Sequence, residues 1–468
     1  MILYTMNNFI FYDTETSGVK ELDFIQVIQF AAIQTDENFR SIDSFNELCS
    51  PLPWTLVSPK ALSVNKKSEI FQTDKTHYEL VKDIYNKWKY WTEQYPAIFV
   101  SYNGMRFDEE VMRRQFYWNL FDPYFTNTNG NSRLDLYLKM QVIAHFYNQS
   151  FPIPKINDQM SLKLEDIISN LSIDTKNAHD ALADCEFLIH LIKSISEKIP
   201  NFYQEILDTT SKEDYLKKLQ DDSIHFNCYF VPRSKSTRAY PFTPFINLYG
   251  LNKYIPIFDL SNDPEDYFDL SYTELEQLIN KKKNCPFKRL AINKTQPTIS
   301  LSTLKEDRIF IEDQEQLMKR ADKIQTNEDF KEKIIDIYNN FQYQNTRKTH
   351  LEEQIYTEGF PSAIEKDRFT QFHNAQSYKD KIAIINSFED NRYREFAYRI
   401  CAQTHTEEVD NNILLSLKEL KRSRFNDDGP WPNSLQNLEE GKNLLLETNN
   451  EDEKELINLA INSIKKSL

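Results

Sequence analysis

Apolar positions follow two different periods along the chain. Apolar runs of strand length cover residues 8–12, 24–33 and 97–101, and they lie among segments whose apolar residues recur every three to four positions. Side chains alternate between the two faces of a strand, whereas the face of a helix repeats after about 3.6 residues. The first two hundred residues therefore predict an α/β domain that ends near Pro200.

The pattern changes twice beyond that point. Short apolar and β-branched runs at 224–231, 254–260 and 289–292 are separated by turn residues, which predicts a small β-rich domain. Beyond Asp307 the spacing becomes helical, apart from one strand-like run at 308–312. We place a third, helical unit from about His350, interrupted by the loop NDDGPWP at 426–432 and followed by a final helix.

Length and composition agree with several folded domains. A chain of 468 residues exceeds what one hydrophobic core usually organises, and 40% hydrophobic with 27% charged residues is typical of a folded protein. The five cysteines are scattered and form no CxxC pair, which favours a reducing compartment and disfavours structural zinc. We expect a cytoplasmic protein without a signal peptide or a membrane-spanning segment.

The net charge of −15 argues against binding a polyanion through bulk attraction. Any contact with nucleic acid must therefore be local. Two basic clusters exist, although solvated surface is the more common explanation for each: Lys281, Lys282, Lys283, Lys288, Arg289 and Lys294 in one, and Arg233, Lys235 and Arg238 in the other.

Two carboxylates follow the first apolar run. Asp13 and Glu15 lie in FIFYDTETSG at 9–18, and a spacing of two puts both on one face of a strand. Neighbouring carboxylates repel each other unless a cation lies between them, and their hard oxygen ligands suit Mg²⁺ or Mn²⁺. Taken alone the pattern is weak, because exposed turn acids are a common alternative.

Two further aspartates each head a helical pattern. Asp108 faces the inward side of its helix, although its position alone favours a simple N-terminal cap. Asp184 begins a stripe that carries no Lys or Arg to pair with it, so a metal ion is a good partner for its carboxylate. The stripe continues through Phe187, Leu188, Leu191, Ile192 and Ile195. His179 precedes Asp184 by five residues and is a candidate general base, although a lone histidine more often has no catalytic role.

The joint order of these residues is specific. Asp13, Glu15, Asp108, His179 and Asp184 follow the DEDDh exonuclease signature, with HxAxxD written here as HDALAD. The linking sequences resemble those of the bacterial exonuclease I family. They are SYNGMRFDEEVMRRQFYWNLFDPY (101–124), NSRLDL (131–136), SLKLED (161–166) and NAHDALAD (177–184), with fainter similarity at AINK (291–294) and QIY (354–356).

The resemblance implies three domains that together form a passage for single-stranded DNA. A ribonuclease H-like α/β exonuclease domain would cover residues 1–200, an SH3-like β domain 201–348 and an α-helical C-terminal domain 350–468. The division drawn from the hydrophobic pattern gives the same layout. The implied activity is processive hydrolysis of single-stranded DNA from its 3′ end to nucleoside 5′-monophosphates, in DNA repair and recombination.

The resemblance also implies a mechanism with two Mg²⁺ ions, or Mn²⁺ in their place. Asp13, Glu15, Asp108 and Asp184 would hold the metals. His179 would accept a proton from the attacking water. The ions would help to generate hydroxide and stabilise the charge that develops on the scissile phosphate and the departing 3′ oxygen.

Five side chains are implied as contacts to the substrate. Glu15 and Lys163 would touch the terminal nucleotide, and Lys163 stands where an arginine is expected, which keeps the charge but loses the bidentate fork. Arg113 would contact a phosphate, Tyr124 would stack on a base, and Lys294 would reach the DNA from the β domain.

Two positions depart from the family pattern, so the contacts downstream of the active site can differ. Thr128 stands where an aromatic residue is expected, and Val142 stands where a polar one could reach DNA. The family also docks the acidic C-terminal tail of single-stranded-DNA-binding protein on a basic patch, which the sequence does not locate. A monomer is expected, because the domains already enclose a strand in the family.

Other functions stay open at this point. A DEDDh exonuclease acting on RNA 3′ ends would use the same residues, but the long C-terminal extension argues against it. A proofreading subunit is not expected to carry two extra domains. A non-catalytic scaffold that binds single strands is disfavoured because all five catalytic side chains are intact.

Overall fold

A five-stranded mixed sheet forms the first part of the protein, for which a computed structural model describes residues 8–176, 180–246, 253–281, 285–340, 348 and 350–468. The strands, in the spatial order β3-β2-β1-β4-β5, are β1 (Asn8–Thr16), β2 (Val27–Thr35), β3 (Ser41–Leu48), β4 (Ala97–Ser101) and β5 (Ser132–Asp135). β1 pairs antiparallel with β2 and parallel with β4. Because β1 is central, the residues at its end lie beside neighbouring elements on both sides.

Helices cover both faces of this sheet. They are α1 (Pro59–Asn65), α2 (His77–Trp91), α3 (Asp108–Trp118), α4 (Leu136–Phe146), α5 (Leu164–Asn170) and α6 (Ala181–Lys198). Phe9 and Phe11 of β1 join a core with α4, α5 and α6, whereas Ile10 and Tyr12 join a second core with α2 and α3. Burial on both faces explains why β1 is continuously apolar rather than alternating.

The predicted strands are confirmed in this sheet with one change of boundary. The run at 24–33 begins within a short 3₁₀ helix, Leu22–Phe24, and β2 starts only at Val27. The edge strand β3 is largely exposed and polar, so it carries no apolar run. The short β5 contains Arg133 and Asp135, which are polar. They can be buried because Arg133 donates to Glu109 and Asp135 accepts from a backbone N–H group.

A second, antiparallel sheet follows. A two-stranded hairpin, β6 (Lys155–Ile156) and β7 (Gln159–Met160), precedes it in the chain. The sheet has the order β11-β10-β9-β8-β12, with β8 (His225–Val231), β9 (Ser236–Pro244), β10 (Tyr254–Asp259), β11 (Phe287–Ala291) and β12 (Thr298–Ser300). The predicted runs at 224–231, 254–260 and 289–292 correspond to β8, β10 and β11. The SH3-like assignment of this part stays a prediction.

Helices accompany this second sheet. They are α7 (Pro200–Leu207), α8 (Lys212–Asp221), α9 (Glu265–Phe268), α10 (Tyr272–Lys281), α11 (Leu301–Glu306), α12 (Gln314–Thr326) and α13 (Glu328–Asn339). The strand predicted at 308–312 is wrong, since these residues form the connection between α11 and α12. Phe310 in the middle of that run is 87% exposed, so its apolar character reflects no packing in a sheet.

The C-terminal part is helical, as predicted. A 3₁₀ turn at Leu351–Ile355 leads to α14 (Ala363–Asn374), α15 (Tyr378–Ser387), α16 (Asn391–Thr404), α17 (Asn411–Asn426), α18 (Ser434–Glu447) and α19 (Glu451–Ser467). The loop predicted at 426–432 separates α17 from α18, but two helices follow it instead of one. The side chain of Asn450 caps α19 by accepting from two backbone N–H groups, which starts a new helix there.

The C-terminal helices pack back onto the N-terminal α/β part. α1 contacts both α18 and α19, and the Ser58 hydroxyl donates to Glu440 Oε2 at 2.7 Å. All five cysteines are free thiols. Within the described parts of the chain, every helix is too short or too polar to traverse a lipid bilayer. The domain boundaries at 200 and 350 stay predictions.

Candidate active site

Three carboxylates meet where β1 ends beside α6. Asp13, Glu15 and Asp184 each offer one oxygen, and these atoms all lie within 4.8 Å of one another. The alternation of β1 puts Asp13 and Glu15 on the same face, as their spacing predicts. The side chain of Asp180 caps α6 by accepting from Leu182 and Ala183, and Asp184 lies in the first turn that follows. The buried stripe behind Asp184 is also confirmed.

Asp108 approaches the same place from α3, although it does not belong to that group of ligand atoms. The N-cap of α3 is Phe107, and no side chain caps this end, so the simple capping interpretation of Asp108 is wrong. Thr14 Oγ1 donates to Asp108 Oδ1 at 2.6 Å. After burial, Asp108 is the largest cause that raises the pKa of Asp13. The charge of Asp108 therefore acts directly on the carboxylates at the end of β1.

The turn before α3 fixes the direction of Asp108. A Cβ atom at Gly104 would lie 2.0 Å from Ser101 Oγ and 2.6 Å from Ser101 Cβ, so only glycine fits against β4 here. The backbone N–H groups of Asn103 and Met105 donate to the Asp135 carboxylate at 2.8 and 3.1 Å. The loop is thereby held to β4 and β5, and the start of α3 is held with it.

Burial, together with repulsion from neighbouring carboxylates, shifts the pKa values of these carboxylates upward. Burial raises the pKa of Asp13 well above its ordinary value, and burial followed by the charge of Asp184 raises the pKa of Glu15 to about 8. Burial also raises the pKa of Asp108 to about 6. A set of buried, mutually repelling oxygen ligands fits a hard divalent cation, because such a cation would relieve the repulsion among them.

The pKa shifts predict how pH affects the metal-free protein. Glu15 and Asp108 keep protons in the folded state at a pH where the unfolded chain has lost them, so the free energy of unfolding should fall as pH rises from about 4.5 to about 8. For one retained proton the slope approaches about 1.4 kcal/mol per pH unit.

Chemical denaturation of EDTA-treated protein across this pH range measures the slope. Addition of Mg²⁺ should flatten it and release protons, which calorimetry in buffers of different ionisation enthalpy detects. A slope unchanged by Mg²⁺ would contradict a metal site at these carboxylates.

One nearby cation moderates the repulsion. Lys67 Nζ donates to Asp180 Oδ2 at 2.5 Å, and its positive charge lowers the pKa of Glu15 against the effect of the carboxylates. Sequence reasoning missed Lys67 because it lies 113 residues before its partner. It missed Thr14 as well, although Thr14 stands between the two predicted ligands. The predicted base His179 lies outside the described residues.

The predicted substrate contacts lie in two environments. Lys163 is exposed and pairs with Glu165 at 3.2 Å. Arg113 is buried, and its guanidinium donates to Glu109 at 2.9 Å and lies 4.9 Å from the ring centroid of Tyr124. The structure thus brings Arg113 and Tyr124 together.

Lys294 belongs to the same surface as Arg113 and Tyr124. Its Nζ lies 3.6 Å from Glu110 Oε1, and Arg113 Nη1 lies 3.9 Å from the same oxygen. Of the two positions that depart from the family pattern, Thr128 donates to the Tyr124 carbonyl and Val142 is fully buried in α4. Val142 therefore presents nothing to a ligand at the surface.

Comparison with known proteins shows similarity over the first part of the chain. A family model described as exonuclease matches residues 10–192, which include Asp13, Glu15, Asp108 and Asp184. Exodeoxyribonuclease I of Haemophilus influenzae is 27% identical over 418 residues, which cover 84% of this chain and 85% of that protein. The similarity therefore extends well beyond the exonuclease domain.

Solved structures of Escherichia coli exonuclease I share the fold along almost the whole chain. The complex with a dA16 oligonucleotide superposes with a TM-score of 0.81 at 20% identity and covers 99% of this chain and 100% of that one. A zinc-bound form in complex with single-stranded DNA gives 0.80 at 20% identity, with 98% and 99% coverage. A structure of SSB and exonuclease I with an inhibitor gives 0.78 at 19% identity, with 99% and 100% coverage.

Proposed function

This chain is a homologue of exodeoxyribonuclease I and carries an exonuclease domain, and from that premise we propose that it hydrolyses single-stranded DNA from the 3′ end. The released products are nucleoside 5′-monophosphates. The observation that carries this proposal is the convergence of Asp13, Glu15 and Asp184 within 4.8 Å inside the domain that matches the exonuclease family.

The chain's own residues have defined tasks in this reaction. Asp13, Glu15 and Asp184 hold the divalent cations, and Asp108 completes the set of four carboxylates. Two Mg²⁺ ions are proposed, with Mn²⁺ as the alternative; when bound, they lower the pKa of water and stabilise charge on the scissile phosphate. His179 accepts the proton of the attacking water. Thr14 keeps the Asp108 carboxylate oriented through its 2.6 Å hydrogen bond.

The DNA strand is held by local contacts rather than by net charge, which is −15. Tyr124 offers a stacking surface for a base, and Arg113 and Lys294 lie beside it. Glu15 and the exposed Lys163 contact the terminal nucleotide. This arrangement supports processive movement along a single strand enclosed by the three domains.

The partners proposed for the protein follow from its relatives. One related structure is of SSB and exonuclease I, and we extend this pairing to the present chain, with the acidic C-terminal tail of single-stranded-DNA-binding protein as the docking segment. DNA repair and recombination are the proposed processes. The five free thiols suit the reducing cytoplasm, and we propose that the protein acts there as a monomer.

A substrate panel tests the proposal. The purified protein is incubated with 3′-labelled and 5′-labelled single-stranded DNA, duplex DNA and single-stranded RNA, with Mg²⁺ or with EDTA. The expected result is Mg²⁺-dependent release of mononucleotides from the 3′ end of single-stranded DNA only. Preferential loss of RNA would move the function to RNA processing, and binding without hydrolysis would leave only a scaffold role.

A further inference from the structure

A cavity of about 370 Å³ lies between the exonuclease domain and the C-terminal helices. Glu15 and residues 16–20 line one side of it, and α16 lines the other side through Phe396 and Arg399. Pockets for small ligands commonly measure about 300–1,000 Å³. The cavity is therefore large enough for a small molecule, and it is continuous with the candidate active site through Glu15.

Two guanidinium groups at this cavity share one carboxylate oxygen. Arg399 Nη1 donates to Glu352 Oε1 at 2.8 Å, and Arg424 Nη2 donates to the same atom at 2.7 Å. Among the described residues, no other acidic side chain lies within salt-bridge distance of either arginine. The three groups together carry one net positive charge at the edge of a largely apolar space. The other charged residues that line the cavity balance one another, with Lys20 and Lys60 against Glu15 and Glu440, so the net charge favours an anionic ligand.

Two further observations indicate that the positive charge of these arginines is only partly neutralised. Arg424 is buried, its Nη1 atom has no hydrogen-bond partner, and burial lowers its pKa. Arg399 differs because its side chain is 14% exposed and only Nη1 is engaged with Glu352, so its other nitrogen atoms remain to donate to a ligand in the cavity. Arg424 thus supports the wall, and Arg399 is the group that can bind.

Aromatic side chains form much of the remaining wall. The Arg424 guanidinium lies 4.3 Å from the ring centroid of Phe24 and 3.8 Å from that of Trp431. Arg399 lies 5.9 Å from the ring of Trp54, which is half-buried. Flat apolar walls beside guanidinium groups that share a single carboxylate match a ligand that is both planar aromatic and anionic.

We propose that this cavity binds a free nucleoside 5′-monophosphate, with its phosphate paired to Arg399 and its base packed against the aromatic side chains. The inference rests on the proposed function, because that reaction releases this class of molecule beside Glu15.

Isothermal calorimetry of the full-length, EDTA-treated protein with deoxyadenosine 5′-monophosphate tests the proposal, since EDTA removes any contact through metal. Arg399→Gln should weaken binding about tenfold. The matched control is Arg394→Gln on the same helix, because Arg394 donates to the Phe388 carbonyl and does not line the cavity. It should bind like the wild type. Trp54→Leu provides a second cavity variant if Arg399→Gln fails to fold.

Two further ligands and one activity assay distinguish failure of this inference from failure of the proposed function. Deoxyadenosine and inorganic phosphate should each bind more weakly than the nucleotide, and equal binding of inorganic phosphate would overturn the nucleotide assignment. Absence of nucleotide binding, or equal affinities in the cavity variants and Arg394→Gln, would overturn it as well. Wild-type protein that binds the nucleotide but does not hydrolyse single-stranded DNA would instead contradict the proposed function alone.

Discussion

Asp184→Asn should lower the rate of single-stranded DNA hydrolysis by about 10³-fold or more while the protein stays folded. The substitution keeps the size of the side chain but removes one of three carboxylates whose oxygens lie within 4.8 Å. Loss of a metal-holding charge removes several kcal/mol of transition-state stabilisation, and about 4 kcal/mol corresponds to a factor of 10³. Initial rates with 3′-labelled DNA and saturating Mg²⁺ measure the effect.

Glu186→Gln is the matched control for this experiment. Glu186 lies on the same helix, is exposed, and is not among the clustered carboxylates, so its substitution should leave the rate unchanged. Thermal unfolding separates a catalytic role from a structural one. Asp184 is the carboxylate that raises the pKa of Glu15 most, so Asp184→Asn should not lower the stability of the metal-free protein. Wild-type activity in Asp184→Asn would refute the metal-ligand role.

The sequence predicts the part of the site that local periodicity controls. Asp13 and Glu15 follow a continuous apolar run and are two residues apart, so their common face follows from the geometry of a strand. Asp184 heads a helix face whose apolar positions are regular. Both features need only the order of residues within one element, which explains why the structure agrees with them.

The partners of these residues depend on distant parts of the chain and could not be predicted in the same way. Thr14 bonds to Asp108 across 94 positions, and Lys67 bonds to Asp180 across 113. No periodic pattern marks either pair. Asp108 also shows the limit of helix-capping preferences. An aspartate at a helix start is ordinarily a cap, whereas here the Thr14 hydroxyl on β1 donates a hydrogen bond to its carboxylate.

Two strands that the sequence pattern misses, and one strand-like run that forms no strand, share a physical explanation. β3 and β5 are stabilised by backbone pairing, and β5 also by the buried ion pair of Arg133 with Glu109, so neither has an apolar pattern. The run at 308–312 has such a pattern but pairs with no strand in the described part of the chain, and its Phe310 is exposed. The spacing of apolar residues indicates which side chains are buried. It does not predict elements whose structure depends on backbone hydrogen bonds or on charges.

Glu109 is the clearest case of a charged residue that stabilises the structure without being part of an apolar pattern. It follows Asp108 directly, is 1% exposed, and accepts four hydrogen bonds. The donors are Arg113 Nε at 2.9 Å, Arg133 Nη1 at 2.8 Å, Thr126 Oγ1 at 2.7 Å and the Tyr12 hydroxyl at 3.1 Å. The two buried arginines hold the pKa of this carboxyl below its usual range despite its burial. Glu109 therefore stays ionised as the centre of a buried ionic network.

Glu109→Ala should lower the free energy of unfolding by about 3–5 kcal/mol, because it leaves two buried guanidinium groups without their shared anion. Denaturant unfolding measures this loss. Glu328→Ala is the control, since Glu328 pairs with Lys331 on an exposed helix surface and contributes at most about 1 kcal/mol. A loss in Glu109→Ala no larger than in the control would contradict the importance of the network.

The same substitution should also weaken metal binding, although every proposed ligand remains. Tyr12 immediately precedes Asp13, and Glu109 immediately follows Asp108, so the Tyr12–Glu109 hydrogen bond ties the strand that carries one carboxylate to the helix that carries the other. Without this tie, the relative position of Asp13 and Asp108 is less well fixed. Tyr12→Phe removes that bond and leaves the ion pairs of Glu109 with Arg113 and Arg133 intact. If Mg²⁺ affinity falls in Tyr12→Phe as well as in Glu109→Ala, the network positions the site; if it falls in Glu109→Ala alone, the network acts through stability only.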